Sequence, residues 1–183
     1  PFRATGAPVA HLESPAGVSP KARRNQLDLL NGLNAAHLSR HPGNAELEAR
    51  LSHYELAAKM QAAVPDLMDL STETEATQKA YGLNDDFRQT QTFGRICLVA
   101  RRLVERGVRF IELTCPGGSG DRWDQHGGLV DGHTKNSRAV DQPIAALIKD
   151  LKERGLFSST LIVWCGEFGR TPFAQGSDGR DHN

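Results

Sequence analysis

The stretch STLIVWCGEFGRTP, residues 159–172, decides how the chain is read. Leu161, Ile162, Val163 and Trp164 have the length and composition of a short, fully buried strand in a parallel sheet. In open α/β sheets, ligands bind beyond the carboxyl ends of such strands, which puts Glu167 and Arg170 where chemistry is usually done. A second run, VRFIELT at 108–114, is equally rich in β-branched and aromatic residues, and the Gly-rich loop CPGGSGDRWDQHGG follows it at 115–128. Between the two runs, Val140, Ile144, Leu147, Ile148 and Leu151 mark one face of a helix that ends at Gly155, with Pro143 near its first turn or at a kink. Strand, loop, helix, strand is a right-handed crossover unit. The sequence therefore predicts two parallel strands whose carboxyl ends open on the same side, with their polar loops facing each other. The expected fold is α/β, a parallel sheet flanked by helices.

Upstream, the pattern is helical. Residues 1–20 hold Pro1, Pro8, Pro15 and Pro20 with no periodicity and read as an extended arm. Leu27, Leu30 and Leu38 mark a first helix from Lys21 to Arg40, closed by Pro42-Gly43. Asn44 is a good N-cap for a second, carrying Leu47, Leu51, Tyr54 and Ala58 as far as Pro65. The pair predicts a helical hairpin. Thr72 and Glu75 have the spacing of a capping box, opening a short helix that Tyr81-Gly82 closes. A longer helix follows from about Asp86 to Arg106, with Phe93, Cys97, Ala100 and Val104 inside and Gly107 as its C-terminal cap. This organises the chain as an arm (1–20), a helical subdomain (21–82) and an α/β portion (83–183).

Composition narrows the function classes. In 183 residues, 22 Lys and Arg balance 22 Asp and Glu, so charge gives no argument for nucleic acid as a partner. Three scattered cysteines are too few for a disulfide framework or a zinc knuckle, and Cys97 and Cys165 read as inert buried thiols. No apolar segment approaches membrane-spanning length, and the first residues lack the apolar core of a signal peptide.

Convergence of the two loops is the central expectation. The first carries Asp121, Asp124 and His126, with His133 a little further on; the second carries Glu167, Arg170, Asp181 and His182. Imidazoles and carboxylates gathered in this way suit a divalent metal, Zn²⁺ through mixed N and O donors, Mn²⁺ or Ca²⁺ mostly through O donors. Asp124, His126, Glu167, Asp181 and His182 are the candidate ligands, ahead of Asp121 and His133. The same residues also suit turns and satisfied structural histidines, and the residues alone leave both readings open. Arg170 is similarly open, between pairing with a tetrahedral anion and a structural ion pair with Glu167 or Asp181. The glycine clusters match neither the P-loop nor the dinucleotide fingerprint.

RRLVERGVRFIEL (101–113), WDQH (123–126), DLKERGLFSSTLIVWCGEFGRTP (150–172) and GRDHN (179–183) resemble an uncharacterised sulfatase-like family. That family is a domain of unknown function, number 1501, placed in the alkaline phosphatase superfamily, and the resemblance runs from about Leu67 onward. It implies metal ligands on loops after successive strands. Asp124 and His126 match the acidic residue and His ahead of the crossover helix, Glu167 the position after the next strand, and Asp181 and His182 the last group. Glu167 and Phe168 stand where sulfatases and phosphatases carry Asp-His, which departs from the pattern. By the same resemblance the nucleophile lies on a strand ahead of Pro1, and the chain is expected to be an internal fragment, inactive alone. The implied activity is metal-dependent hydrolysis of a sulfate or phosphate ester of a small molecule or glycan, with Zn, Mn or Ca, in a periplasmic or secreted setting. The other reading is a non-catalytic module that binds a glycan or a protein.

Overall fold

The computed structural model describes residues 16–115, 123–166 and 169–183. The chain divides into two compact units, Pro1–Met68 and Asp69–Asn183.

The first unit is a helical hairpin. Helix α1 spans Pro20–Ser39, with the Ser19 hydroxyl accepting from the Ala22 N–H at 3.1 Å and Pro20 in the first turn, where its missing N–H costs nothing. A turn through Gly43, at φ 79°, leads to α2, Ala45–Met68. Asn44 caps it as expected, accepting from the Leu47 N–H at 3.0 Å, but the helix runs through Pro65 and ends three residues later. Glu55 joins the two helices, accepting from Asn31 at 3.0 Å and pairing with Arg24 at 3.5 Å. No residue of α1 is buried, and Leu29, Leu30 and Leu33 are exposed.

The second unit is built on two long helices, α4 (Arg88–Glu105) and α5 (Leu129–Glu153), behind the short α3 (Glu75–Ala80). Thr74, not Thr72, caps α3, because Asp69 caps a 3₁₀ turn over Leu70–Thr72 and delays the start. Phe93, Cys97, Leu98 and Ala100 of α4 are buried, as are Ala139, Val140, Leu147 and Leu151 of α5; full burial of a leucine such as Leu98 is worth about 2 kcal/mol. Polar bonds fix the register. The Thr90 hydroxyl donates to the Arg138 carbonyl at 3.1 Å, and the buried Tyr81 hydroxyl donates to Asp150 at 3.0 Å. Arg101, 3% exposed, is ringed by Glu73 and Glu105 at 2.6 Å and Asp150 at 3.1 Å, which offsets the cost of burying its charge. Gly94 lets α4 approach the Tyr81 carbonyl so closely that a Cβ there would come under 3.0 Å.

The expected α/β fold does not form. Helix accounts for 62% of the described residues and strand for 3%, with no sheet among them, so this is a mainly helical structure. The segments 108–114 and 161–164 have no ladder partner, and they leave Phe110 83% and Leu161 88% exposed. β-Branched composition reports fitness for a pleated, covered surface, and without neighbouring strands it directs nothing. The intervening helix packs on α4 instead of crossing over a sheet. It also begins earlier than its apolar stripe suggests, so Pro143 lies buried in its interior. Cys97 is buried, which pushes its thiol up to about 12, whereas Cys165, expected to be buried as well, is exposed.

Candidate metal centre

The WDQH and GRDH segments meet without a sheet to carry them. The Arg180 N–H donates to the Gln125 carbonyl at 2.8 Å, the Ser177 hydroxyl donates to the His126 carbonyl, and the Gly128 N–H donates to Asp178 Oδ1 at 2.7 Å. The last bond sets a carboxylate at the start of α5, where Gly128 has no side chain of its own to offer. Residues 169–183 fold back on themselves through Thr171 N–H to Asp181 carbonyl at 3.0 Å and antiparallel bridges at Arg170/His182 and Ala174/Ser177. Gly179 is buried at the junction: a Cβ there would come under 3.0 Å from the His126 carbonyl and the Gly127 nitrogen.

This clasp brings three donor groups together. Asp124, His126 and His182 each offer one ligand atom, and the three atoms lie within 4.8 Å of one another. His182 Nε2 is 2.9 Å from Asp124 Oδ1, and His126 Nε2 is 3.2 Å from the same oxygen. The two imidazoles stack, with centroids 5.0 Å apart and planes at 24°. Asp181 stands behind His126, its Oδ1 2.8 Å from Nδ1, while its Oδ2 accepts from the Gln175 N–H at 2.8 Å. That contact fixes Nδ1 as the protonated nitrogen of a neutral His126 and turns Nε2 toward Asp124, the arrangement in which carboxylates orient metal-ligating histidines. Arg170 Nη2 donates to Asp124 Oδ1, and its Nη1 donates to the Arg180 carbonyl at 3.3 Å.

Electrostatics follow from these contacts. The hydrogen bond from His182, then that from Arg170, holds the Asp124 carboxyl down at about 2. The Asp181 hydrogen bond, aided by the charge of Asp124, raises His126 above the ordinary imidazole range. Asp181 is lowered in turn, first by His126 and then by the Gln175 N–H. Nitrogen and oxygen lone pairs facing each other at these distances need protons or a cation between them. The three groups are therefore a possible metal-binding triad, two imidazoles and one carboxylate, which leaves coordination positions for water or substrate.

Of the other candidates, Glu167 and Asp121 lie outside the described residues. His133 is on α5, with Nδ1 3.2 Å from the Leu129 carbonyl and its ring edge-on to Trp123 at 5.4 Å, and it does not join the triad. Arg170 pairs with Asp124, a partner that neither sequence reading named. Gln125, Ser177, Asp178 and Gly179 were not singled out at all. Gly-Ser-Asp-Gly at 176–179 signals a turn, but nothing in a turn signal says which backbone the turn will grip. Trp123, edge-on to Trp164 at 6.1 Å, borders a groove of about 550 Å³ along α5 that Val140, Ile144 and Ile148 also line.

A family model described as "Protein of unknown function (DUF1501)" matches residues 1–183, and the chain belongs to that family. No curated protein and no solved structure matches it. The family is uncharacterised, and nothing in these comparisons links it to sulfatases or to the alkaline phosphatase superfamily.

Proposed function

We propose that this member of the DUF1501 family, as the full-length protein, is a metal-dependent hydrolase of sulfate or phosphate esters. The observation that supports it is the meeting of Asp124 Oδ1, His126 Nε2 and His182 Nε2 beside the guanidinium of Arg170. The donor set fits a borderline cation: two imidazoles suit Zn²⁺ or Mn²⁺ better than Ca²⁺, which prefers a shell of oxygens. A bound ion would polarise an ester oxygen and lower the pKa of an attacking water or hydroxyl. The chain's own part is to hold that ion through Asp124, His126 and His182, to keep the Nε2 of His126 aimed by means of Asp181, and to receive the organic part of the ester. Trp123, the neighbour of Asp124 in sequence, borders the groove along α5, whose lining is mixed, with Val140, Ile144 and Ile148 beside Arg138 and Asp141.

A specific observation favours a second reading. Asp124 and Asp181 already find partners within the protein, so the cluster also serves as a polar clasp for the 169–183 segment, as a non-catalytic binding module would need. Hydrolysis of chromogenic aryl sulfate and aryl phosphate by the full-length protein with added Zn²⁺, Mn²⁺ or Ca²⁺ separates the two. Metal-dependent turnover that His182→Ala abolishes is the expected result. Metal binding without turnover of either ester would refute the hydrolase and leave the module.

A further inference from the structure

Gln125 stands between two members of the triad and is the one buried residue of the WDQH segment, at 9% exposure. Successive side chains along an extended backbone leave on opposite faces. Asp124 and His126 reach the 169–183 segment, at His182 and Asp181, whereas the Gln125 side chain lies over the first turn of α5, against Gly132. A Cβ at 132 would fall on the Gln125 amide, so the amide occupies the space that a side chain there would fill. Gly132 is ordinary helix and is not among the glycines of positive φ, so its conformation does not call for glycine. A helical glycine costs stability relative to alanine. What it supplies here is room. The amide is seated by fit rather than through its oxygen: among the described residues, the buried Oε1 meets no donor. The backbone of Gln125 is pinned as well, its carbonyl accepting from the Arg180 N–H at 2.8 Å.

Resting on the metal-site reading above, we infer that Gln125 is a positioning residue for the candidate centre: its side chain, seated in the notch at Gly132, fixes the loop on α5 so that Asp124 and His126 are presented together to the 169–183 segment. It touches no ligand atom. Its effect passes through the backbone to the residues on either side, whose donor atoms need a fixed spacing to share one ion. The glycine on α5 and the glutamine two residues beyond Trp123 then form a pair, and the helix gives up some propensity at 132 to hold the loop.

Calorimetric titration of the full-length protein with Zn²⁺, alongside thermal unfolding without metal, tests this for the parent, Gly132→Ala, Gln125→Ala and Gln125→Met. Gly132→Ala evicts the amide without a backbone clash, because the group it meets is the end of a flexible side chain, and alanine is the better helix former. It should unfold no lower than the parent and yet bind Zn²⁺ about tenfold more weakly, the scale for losing a group that orients a ligand. Gln125→Ala, which leaves the notch empty, should lose Zn²⁺ affinity on the same scale of about tenfold. Gln125→Met fills the notch without an unpaired acceptor and should stay within about threefold of the parental affinity, with no loss of stability. Parental affinity in Gly132→Ala or in Gln125→Ala overturns the positioning role and leaves the metal site standing. So does a loss in Gly132→Ala that is matched by a fall in unfolding temperature, and so does a Gln125→Met that binds as weakly as Gln125→Ala. Failure of the parent to bind Zn²⁺ overturns both.

Discussion

Gly179→Ala tests whether the grip of the 176–179 turn on the His126–Gly127 backbone builds the candidate metal centre, because it removes no candidate ligand. A methyl group at 179 would sit under 3.0 Å from both the His126 carbonyl and the Gly127 nitrogen, and neither neighbour is a flexible side chain that could swing away. Reaching ordinary contact requires the two segments to part by about an ångström, since packed backbone gives way only by moving as a whole. Asp181 and His182 follow within three residues, so the displacement passes to the contacts at 2.8 Å and 2.9 Å that pair them with His126 and Asp124. Loss of an orienting contact at a metal site typically costs tenfold to a hundredfold in affinity, and the variant should lose Zn²⁺ binding on about that scale. Gly127→Ala is the control, because a Cβ there meets nothing nearer than 3.8 Å. Competition against a chelator of known affinity measures all three proteins, with thermal unfolding alongside to show that the α4–α5 core is intact. Parental Zn²⁺ affinity in Gly179→Ala would refute the reasoning, as would an equal loss in Gly127→Ala.

Replacing His126 or His182 by Ala should weaken Zn²⁺ or Mn²⁺ binding by well over tenfold, whereas His37→Ala and His53→Ala in the helical hairpin should not; equal affinities across the four would make the imidazoles structural. Cation affinity should rise with pH and go on rising past the ordinary imidazole range, because the raised pKa of His126 keeps a proton competing for the site; a titration curve that levels off below pH 6.5, the ordinary imidazole value, would contradict this. Without added metal, the same shift acts oppositely on stability. The folded pKa lies above the unfolded one, so the contribution of His126 is complete below the unfolded value and is lost as pH rises through the folded value. In the helical core, Gly94→Ala should destabilise by about 1–3 kcal/mol despite the better helix propensity of alanine, since the new methyl meets the Tyr81 carbonyl; a rise in unfolding temperature would show that the contact is soft.

Helices were legible where their signals are local. The Asn44 cap and the buried stripe Phe93, Cys97 and Ala100 all lie in a dozen residues or fewer of sequence, and the structure contains them. Strands were not, because VRFIELT and LIVW say only that a pleated surface would suit them, and supplying that surface is a long-range event. Asp124 and His126 are close by virtue of their spacing, but their approach to Asp181 and His182 depends on a turn that grips backbone more than fifty residues away. The two loops, expected to meet above a sheet edge, meet instead by hydrogen bonding to each other. Asp181 shows the limit of composition: the residue type suited a ligand, while its geometry makes it the partner of His126 Nδ1.

The 169–183 segment is held almost wholly by polar contacts; apart from glycine it contributes no residue to the buried set, and Phe173 is 66% exposed. Such a segment opens at a cost set by a handful of hydrogen bonds, well below that of separating α4 from α5. Its amides should therefore exchange with deuterium while those of the long helices stay protected. On that expectation the candidate centre has two parts of unequal permanence, a half carried on the loop that leads into α5 and a half on the more easily opened 169–183 segment. A cation bridging them would work as a reversible cross-link between positions 58 residues apart, and part of its binding free energy would go into ordering the 169–183 segment.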